Sequence, residues 1–101
     1  MHTREDLSEV LHSIMENGNV YFQPPASVRM QYPCIRYSLS DIPLEYADNK
    51  GYIKRNLYEG VVIDPNPDSP YIRKILEIPG AAFSNRAVVD NLYHDYFTIY
   101  Y

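Results

Sequence analysis

The C-terminal stretch of the chain, from residue 82 to residue 101, constrains the fold most, because aromatic and β-branched residues alternate along it. Its two runs, Ala82–Asp90 and Tyr96–Tyr101, are separated by Asn91–Asp95, which we expect to form a loop. Alternation with period two, interrupted by Asp and Asn, is typical of two strands joined as a hairpin. The sequence therefore predicts a β-sheet containing both strands, with Phe83 and Arg86 on opposite faces of the first.

Two helices are predicted outside this hairpin. The first covers Arg4–Asn17, because its apolar residues recur at the spacings of three and four that form one face of a helix. Thr3 and Asp6 resemble a capping box at its start, and Gly18 is a favourable residue just after its end. The second helix is shorter and begins at a proline.

That second helix is predicted over Pro70–Ile78. Asp68 or Ser69 is the expected N-cap, and proline suits the first helical position because it lacks the amide hydrogen that would be unpaired there. Ile72 and Ile75 contribute to its apolar face.

Three strands are predicted between the helices, over Val20–Phe22, Cys34–Leu39 and Gly51–Asp64. We expect Gly60 to mark a bulge in the longest of them. The acidic segment Asp41–Lys50 is expected to be an irregular, exposed connection that joins two paired strands. The chain is therefore predicted to be a single α+β domain over residues 1–101, with an antiparallel sheet of about 4–5 strands and both helices packed on one face.

Composition restricts the function more than it defines it. The net charge is −4 without a basic run, which disfavours nucleic-acid binding by phosphate neutralisation. The single cysteine, Cys34, excludes an intramolecular disulfide, suits a reduced compartment, and is expected to be a small core residue. The sequence predicts no signal peptide and no membrane span. Eleven tyrosines without tryptophan suit half-buried sheet faces and protein interfaces.

The residues that suggest chemistry are His12, His94 and Asp95. Two imidazoles can act as acid and base, and a His–Asp pair can contribute to a triad. Neighbours in sequence point to opposite faces of a strand, however, and His94 is more readily explained as a turn residue. The few possible metal ligands have unrelated positions, and no phosphate-binding glycine loop is present. We therefore expect a protein that is not an enzyme, with no catalytic, cofactor-binding or metal-binding residues.

Several short motifs follow one another in a fixed order along nearly the whole chain: Tyr21–Pro25, Tyr32–Tyr37, Ala47–Asn49 with Tyr52, Val62–Ser69, Leu76–Pro79, Phe83, Arg86, Asp90–Leu92, His94–Asp95 and Phe97–Tyr101. Their order resembles a family of siphophage and prophage proteins, the tail-terminator or tail-completion proteins of long-tailed phages. The chain departs from this pattern at Ala87, where a bulkier residue is expected after Arg86.

The resemblance implies a structural protein of the virion. It implies a ring, a hexamer, at the head-proximal end of the tail tube, where the protein stops tube polymerisation and joins the tail to the head connector. The implied partners are further copies of the chain, the tail tube protein and the head–tail connector protein, with DNA passing through the ring unbound. Head–tail stoppers and adaptors are also small α+β proteins, so that role stays open.

A third interpretation is a small protein-binding module that grips another chain by its sheet edge. For any of these roles, the contact residues are expected in the acidic connection and the strand after it, whereas Asp90–Asp95 is expected to fix the hairpin turn. The predicted interface residues are Asp41, Glu45, Tyr46, Asp48, Lys50, Tyr52, Lys54, Arg55 and Tyr58. For Tyr52 and Tyr58, a place on a sheet face is an equally good interpretation.

Overall fold

The computed structural model describes residues 4–16, 18–24, 29–41, 44–47, 50–53 and 56–101, with the backbone alone for 41, 44–47 and 50–53. The described part measures 51 × 26 × 23 Å along its principal axes. Its elements, in chain order, are α1 (Arg4–Ile14), β1 (Val20–Phe22), β2 (Cys34–Asp41), β3 (Leu44–Ala47), β4 (Lys50–Ile53), β5 (Leu57–Asp64), α2 (Pro70–Leu76), β6 (Ala81–Val89) and β7 (Leu92–Tyr100).

Five of the strands form one sheet in the order β1-β2-β5-β7-β6. Its pairs are antiparallel, except that β1 runs parallel to β2. β5 lies in the middle, where Val62 pairs with Ile35 of β2 on one side and with Asp95 of β7 on the other. The predicted α+β class is confirmed, with a sheet that is mostly rather than wholly antiparallel.

Both helices pack on the same face of this sheet. Leu7 and Leu11 of α1 and Ile75 of α2 are fully buried there. The sheet contributes alternate residues to this core, namely Ile35, Tyr37, Tyr58, Val62, Phe97 and Ile99. Because side chains alternate between the two faces of a strand, the intervening residues lie on the opposite face.

The helix boundaries follow the chemistry at their ends. α1 ends at Ile14, three residues before the predicted end, although the Met15 amide still donates to the Leu11 carbonyl at 2.9 Å. Thr3, the predicted cap, lies outside the described residues. α2 begins as predicted, because the Ser69 hydroxyl accepts from the Tyr71 amide at 3.3 Å and Pro70 takes the first helical position.

The segment between β2 and β5 differs from the prediction. The connection expected to be irregular contains β3, which pairs antiparallel with β4 in a separate two-stranded sheet. The single strand expected over Gly51–Asp64 is divided into β4 and β5, which belong to different sheets. Both strands carry apolar and aromatic residues, and the sequence pattern alone does not reveal that their pairing partners differ.

Gly60 is required by packing and not by a bulge. It pairs in unbroken register with Tyr37 of β2 and with Phe97 of β7. A Cβ atom added at this position would lie within 3.0 Å of three ring atoms of Phe97. The ring therefore rests on the glycine backbone, and this close approach explains why residue 60 has no side chain.

A smaller apolar cluster lies on the sheet face opposite the helices. Cys34, Val61 and Ile63 are buried there, with Tyr96 packed against them. As expected, Cys34 is a core residue, and its burial raises the pKa of the thiol to about 11, although the charge of Arg36 acts in the opposite direction. The thiol is therefore protonated at neutral pH and is a poor nucleophile.

Candidate protein-interaction surface

The hairpin formed by β6 and β7 is tighter than the sequence suggested. Asp90 and Asn91 both have positive φ, at 51° and 63°, and they form the whole connection between Val89 and Leu92. Positive φ at both central residues is the geometry of a two-residue hairpin turn, and Asp and Asn are among the residues that tolerate it. The predicted loop Asn91–Asp95 is therefore wrong, since β7 already begins at Leu92.

An irregularity in β6 changes which residues share a face. Phe83 pairs with Phe97 and Asn85 pairs with Tyr96, so Ser84 has no partner across the ladder. This extra residue places Phe83 and Arg86 on the same face, towards the helices, although simple alternation predicts opposite faces. The bulge brings the Arg86 side chain to Asp95, its partner in the ladder.

Arg86 and Asp95 form a bidentate ion pair. Arg86 Nε donates to Asp95 Oδ1 at 2.6 Å, and Arg86 Nη2 donates to Asp95 Oδ2 at 3.1 Å. The Asp95 side chain is 1% exposed and the Arg86 side chain 39%, so the pair lies at the border of the core. The hydrogen bond to Asp95 raises the pKa of Arg86 above its usual value. Asp95 therefore holds β6 to β7 and does not fix the turn.

The same guanidinium group connects the hairpin to the loop before α2. Arg86 Nη2 also donates to the Pro67 carbonyl at 2.9 Å. That loop is held in shape by the Asp64 and Asn66 side chains, which accept from the amides of Asn66 and Asp68, both at 2.9 Å. Arg86 thus fixes β6, β7 and the entry to α2 relative to one another.

A groove of about 310 Å³ lies between α2 and β6, next to this ion pair. Ile72 and Leu76 of α2 and Phe83 of β6 supply apolar lining, while Arg73 adds a positive charge. Phe83 is 50% exposed and Leu76 is 37% exposed. Since Asp68 and Asp95 line it together with Arg73 and Arg86, the groove combines apolar surface with charges of both signs beside an edge of the sheet.

β6 is the last strand of the sheet on this side. It has nine residues, and among its exposed apolar side chains Val88 and Val89 are 59% and 50% exposed. A long edge strand with exposed apolar residues is a template for pairing with another strand. We call this strand, with Leu76 and the groove beside it, the β6 surface.

The ladder shows which backbone groups of β6 face outwards. The Tyr100 amide donates to the Gly80 carbonyl at 3.0 Å, so even-numbered residues of β7 direct their backbone groups towards β6. Phe83, Arg86 and Val88 pair with odd-numbered residues of β7. Their amide and carbonyl groups therefore point away from β7, to the side where the described chain places no strand.

The predicted interface residues lie elsewhere. Asp48, Lys54 and Arg55 are outside the described residues. The backbone at the other predicted positions runs from the end of β2 through the β3–β4 sheet, and their side chains are not described; these positions are Asp41, Glu45, Tyr46, Lys50 and Tyr52. Their role as contacts stays a prediction.

Tyr58 is different, because its side chain is only 2% exposed and belongs to the helix-side core. Its ring centroid lies 6.1 Å from that of Tyr37. The interpretation of Tyr58 as a subunit contact is therefore corrected, and its place on a packed sheet face is the better one. The Asp-Asn interruption predicted the hairpin, but the loop was placed over Asn91–Asp95, so the two-residue turn and the pairing of Arg86 with Asp95 were not predicted and the β6 surface was missed.

The two candidate catalytic histidines are on opposite sides of the sheet. His12 lies exposed on α1, where Nδ1 is 2.8 Å from the Ser8 carbonyl oxygen of the preceding turn. His94 stacks on Tyr96 on the other face, with ring centroids 6.4 Å apart. In the part of the chain that the structure describes, no three His, Cys, Asp or Glu side chains cluster as metal ligands.

The face opposite the helices carries an open concavity of about 600 Å³. Arg36 of β2, Glu59 of β5 and Tyr96 of β7 line it, with Gln23 and Pro24 at one side. It carries charges of both signs from Arg36 and Glu59, as the groove beside β6 does, but it lies over inner strands of the sheet and not at an unpaired strand edge. It is a less definite site than the β6 surface.

The chain was also compared with known proteins. No protein-family model matches it, and no curated protein matches it at a significant level. Neither of the described helices has the length and apolar character needed to cross a bilayer.

Proposed function

We propose that this protein is a structural component of a long-tailed phage, a tail terminator that forms a ring at the head-proximal end of the tail tube. The observation that carries the proposal is the β6 surface, a nine-residue edge strand with Phe83, Val88 and Val89 exposed. In a monomer such an edge promotes aggregation, whereas in an assembly it can pair with a neighbouring chain. The order of motifs along the chain resembles the tail-terminator family. This resemblance is our reason for locating the assembly at the head-proximal end of a phage tail.

A ring is compatible with the contacts that the two edges of the sheet can make. The opposite edge of the sheet, β1, has only three residues, so the two edges are unlike. Contacts between unlike surfaces of identical copies are head-to-tail, and they close into a ring when the rotation between copies permits. In the proposed role one end of the ring stops the tail tube and the other receives the head connector.

The proposed role is mechanical and requires no bond-making chemistry from the chain. The net charge of −4 suits a ring through which DNA passes without binding, because like charges do not retain phosphates. The protein would then act in the virion after assembly in the bacterial cytoplasm. A head–tail stopper or adaptor is the nearest variant of the same role, with a ring that sits on the connector.

A protein-binding module is the second candidate. The groove between α2 and β6 favours it, because an extended peptide added to β6 would place a side chain beside Phe83 and Leu76. In that case the β6 surface would accept a foreign strand and the protein would act as a monomer or as a dimer.

Light scattering after size exclusion separates the two candidates. A tail terminator is expected as a species near six times the 11.8 kDa protomer mass, or as a monomer that assembles when purified tail tubes are added. Negative-stain images are then expected to show rings with a central channel. A stable dimer that does not assemble when tail tubes are added would support the binding module and contradict the ring.

Tails from a phage that lacks the gene provide the decisive readout. Loss of a terminator is expected to give overlong tails without heads, because nothing stops the tube. Loss of a stopper or adaptor is expected to give tails of normal length that fail to join heads. Normal virions in the deletion strain would exclude both roles.

A further inference from the structure

We draw no further inference here: the strongest candidate, the β6 edge with the groove between α2 and β6 beside it, carries nothing beyond the proposed function, because its groove holds charges of both signs and nothing in the described part of the chain shows what covers the edge.

Discussion

The sheet ends at β1 on one side and at β6 on the other, and the two edges are built differently. β1 has three residues and is followed at once by Gln23, which has a positive φ of 44°, and by Pro24. The Gln23 side chain turns back to accept from the Leu39 amide at 3.2 Å. β6 has nine residues and is interrupted only by the bulge at Ser84.

This difference indicates that β6, and not β1, is the edge available for pairing with another strand. Short strands, prolines and turns are the common means by which proteins protect an edge from pairing with other chains. The chain uses all three at β1 and leaves β6 long, with apolar residues exposed. An open edge that is anchored by a buried ion pair is rigid enough to accept a partner strand in one register.

Among the substitutions that test the difference between the two edges, Arg86→Met is expected to have the largest effect on stability. The change leaves the Asp95 carboxylate 1% exposed and without its ion-pair partner, and it also removes the hydrogen bond to the Pro67 carbonyl. Breaking a buried pair from one side costs about 3 kcal/mol in the free energy of unfolding. Urea unfolding measures the loss, and hydrogen exchange is expected to show faster opening of β6 than of β1.

Arg73→Met is the matched control, since Arg73 is an exposed arginine of the same groove. Its effect is expected within about 0.5 kcal/mol of zero. Adding Asp95→Leu to Arg86→Met is expected to recover much of the stability, because no buried charge then remains. Equal unfolding free energies for the two arginine variants would show that the ion pair does not anchor β6.

The two edges also differ in how far the sequence could predict them. β1 was predicted correctly because prolines act locally and end a strand wherever they fall. The cap at Ser69 and the class of the fold were predictable for the same reason, since both follow from short-range patterns. The β6 edge was not predictable in this way, because its geometry is set by the pairing of β6 with β7. In that pairing one extra residue, Ser84, moves Arg86 to the same face as Phe83.

The remaining errors have a related cause. β3 was missed because an acidic segment with Pro43 predicts a loop, whereas its pairing with β4 is set by the chain around it. Gly60 was taken for a bulge because the sequence does not show that the Phe97 ring lies across the neighbouring strand. The candidate surface could have been found in part, from the two-residue Asp90-Asn91 signal that places Arg86 opposite Asp95.

A smaller effect is expected from Gly60→Ala, in the middle of the sheet. The added methyl group meets the Phe97 ring, which packs in the helix-side core and pairs with Phe83 across β6 and β7. Overpacking of this kind costs about 2 kcal/mol in the free energy of unfolding. Because Phe97 lies beside β6 and not beside β1, hydrogen exchange is expected to change more at the β6 edge.

Gly18→Ala distinguishes this steric effect from a general cost of replacing glycine. Gly18 has a φ of 79° and no atom within 4 Å of an added Cβ, so its substitution is expected to cost about 1 kcal/mol through the backbone alone. Phe97→Leu is expected to relieve part of the loss in the Gly60→Ala background and none of it in the Gly18→Ala background. Equal behaviour in both backgrounds would contradict the packing explanation.

The smallest effect on stability is expected from Arg4→Ala, which tests whether the Arg4 side chain of α1 protects the β1 edge. The Arg4 guanidinium carbon lies 4.7 Å from the centre of the Phe22 ring, so α1 places a cation over the last residue of the strand. An exposed cation–π contact contributes about 0.5–1 kcal/mol. Glu5→Gln is the control, because it removes the exposed Arg4–Glu5 ion pair at 3.2 Å and leaves the ring contact in place. Urea unfolding is expected to show a loss for Arg4→Ala and almost none for Glu5→Gln, with faster exchange confined to β1. If the two variants lose the same stability, the cation does not protect this edge, and the short length of β1 and Pro24 must suffice.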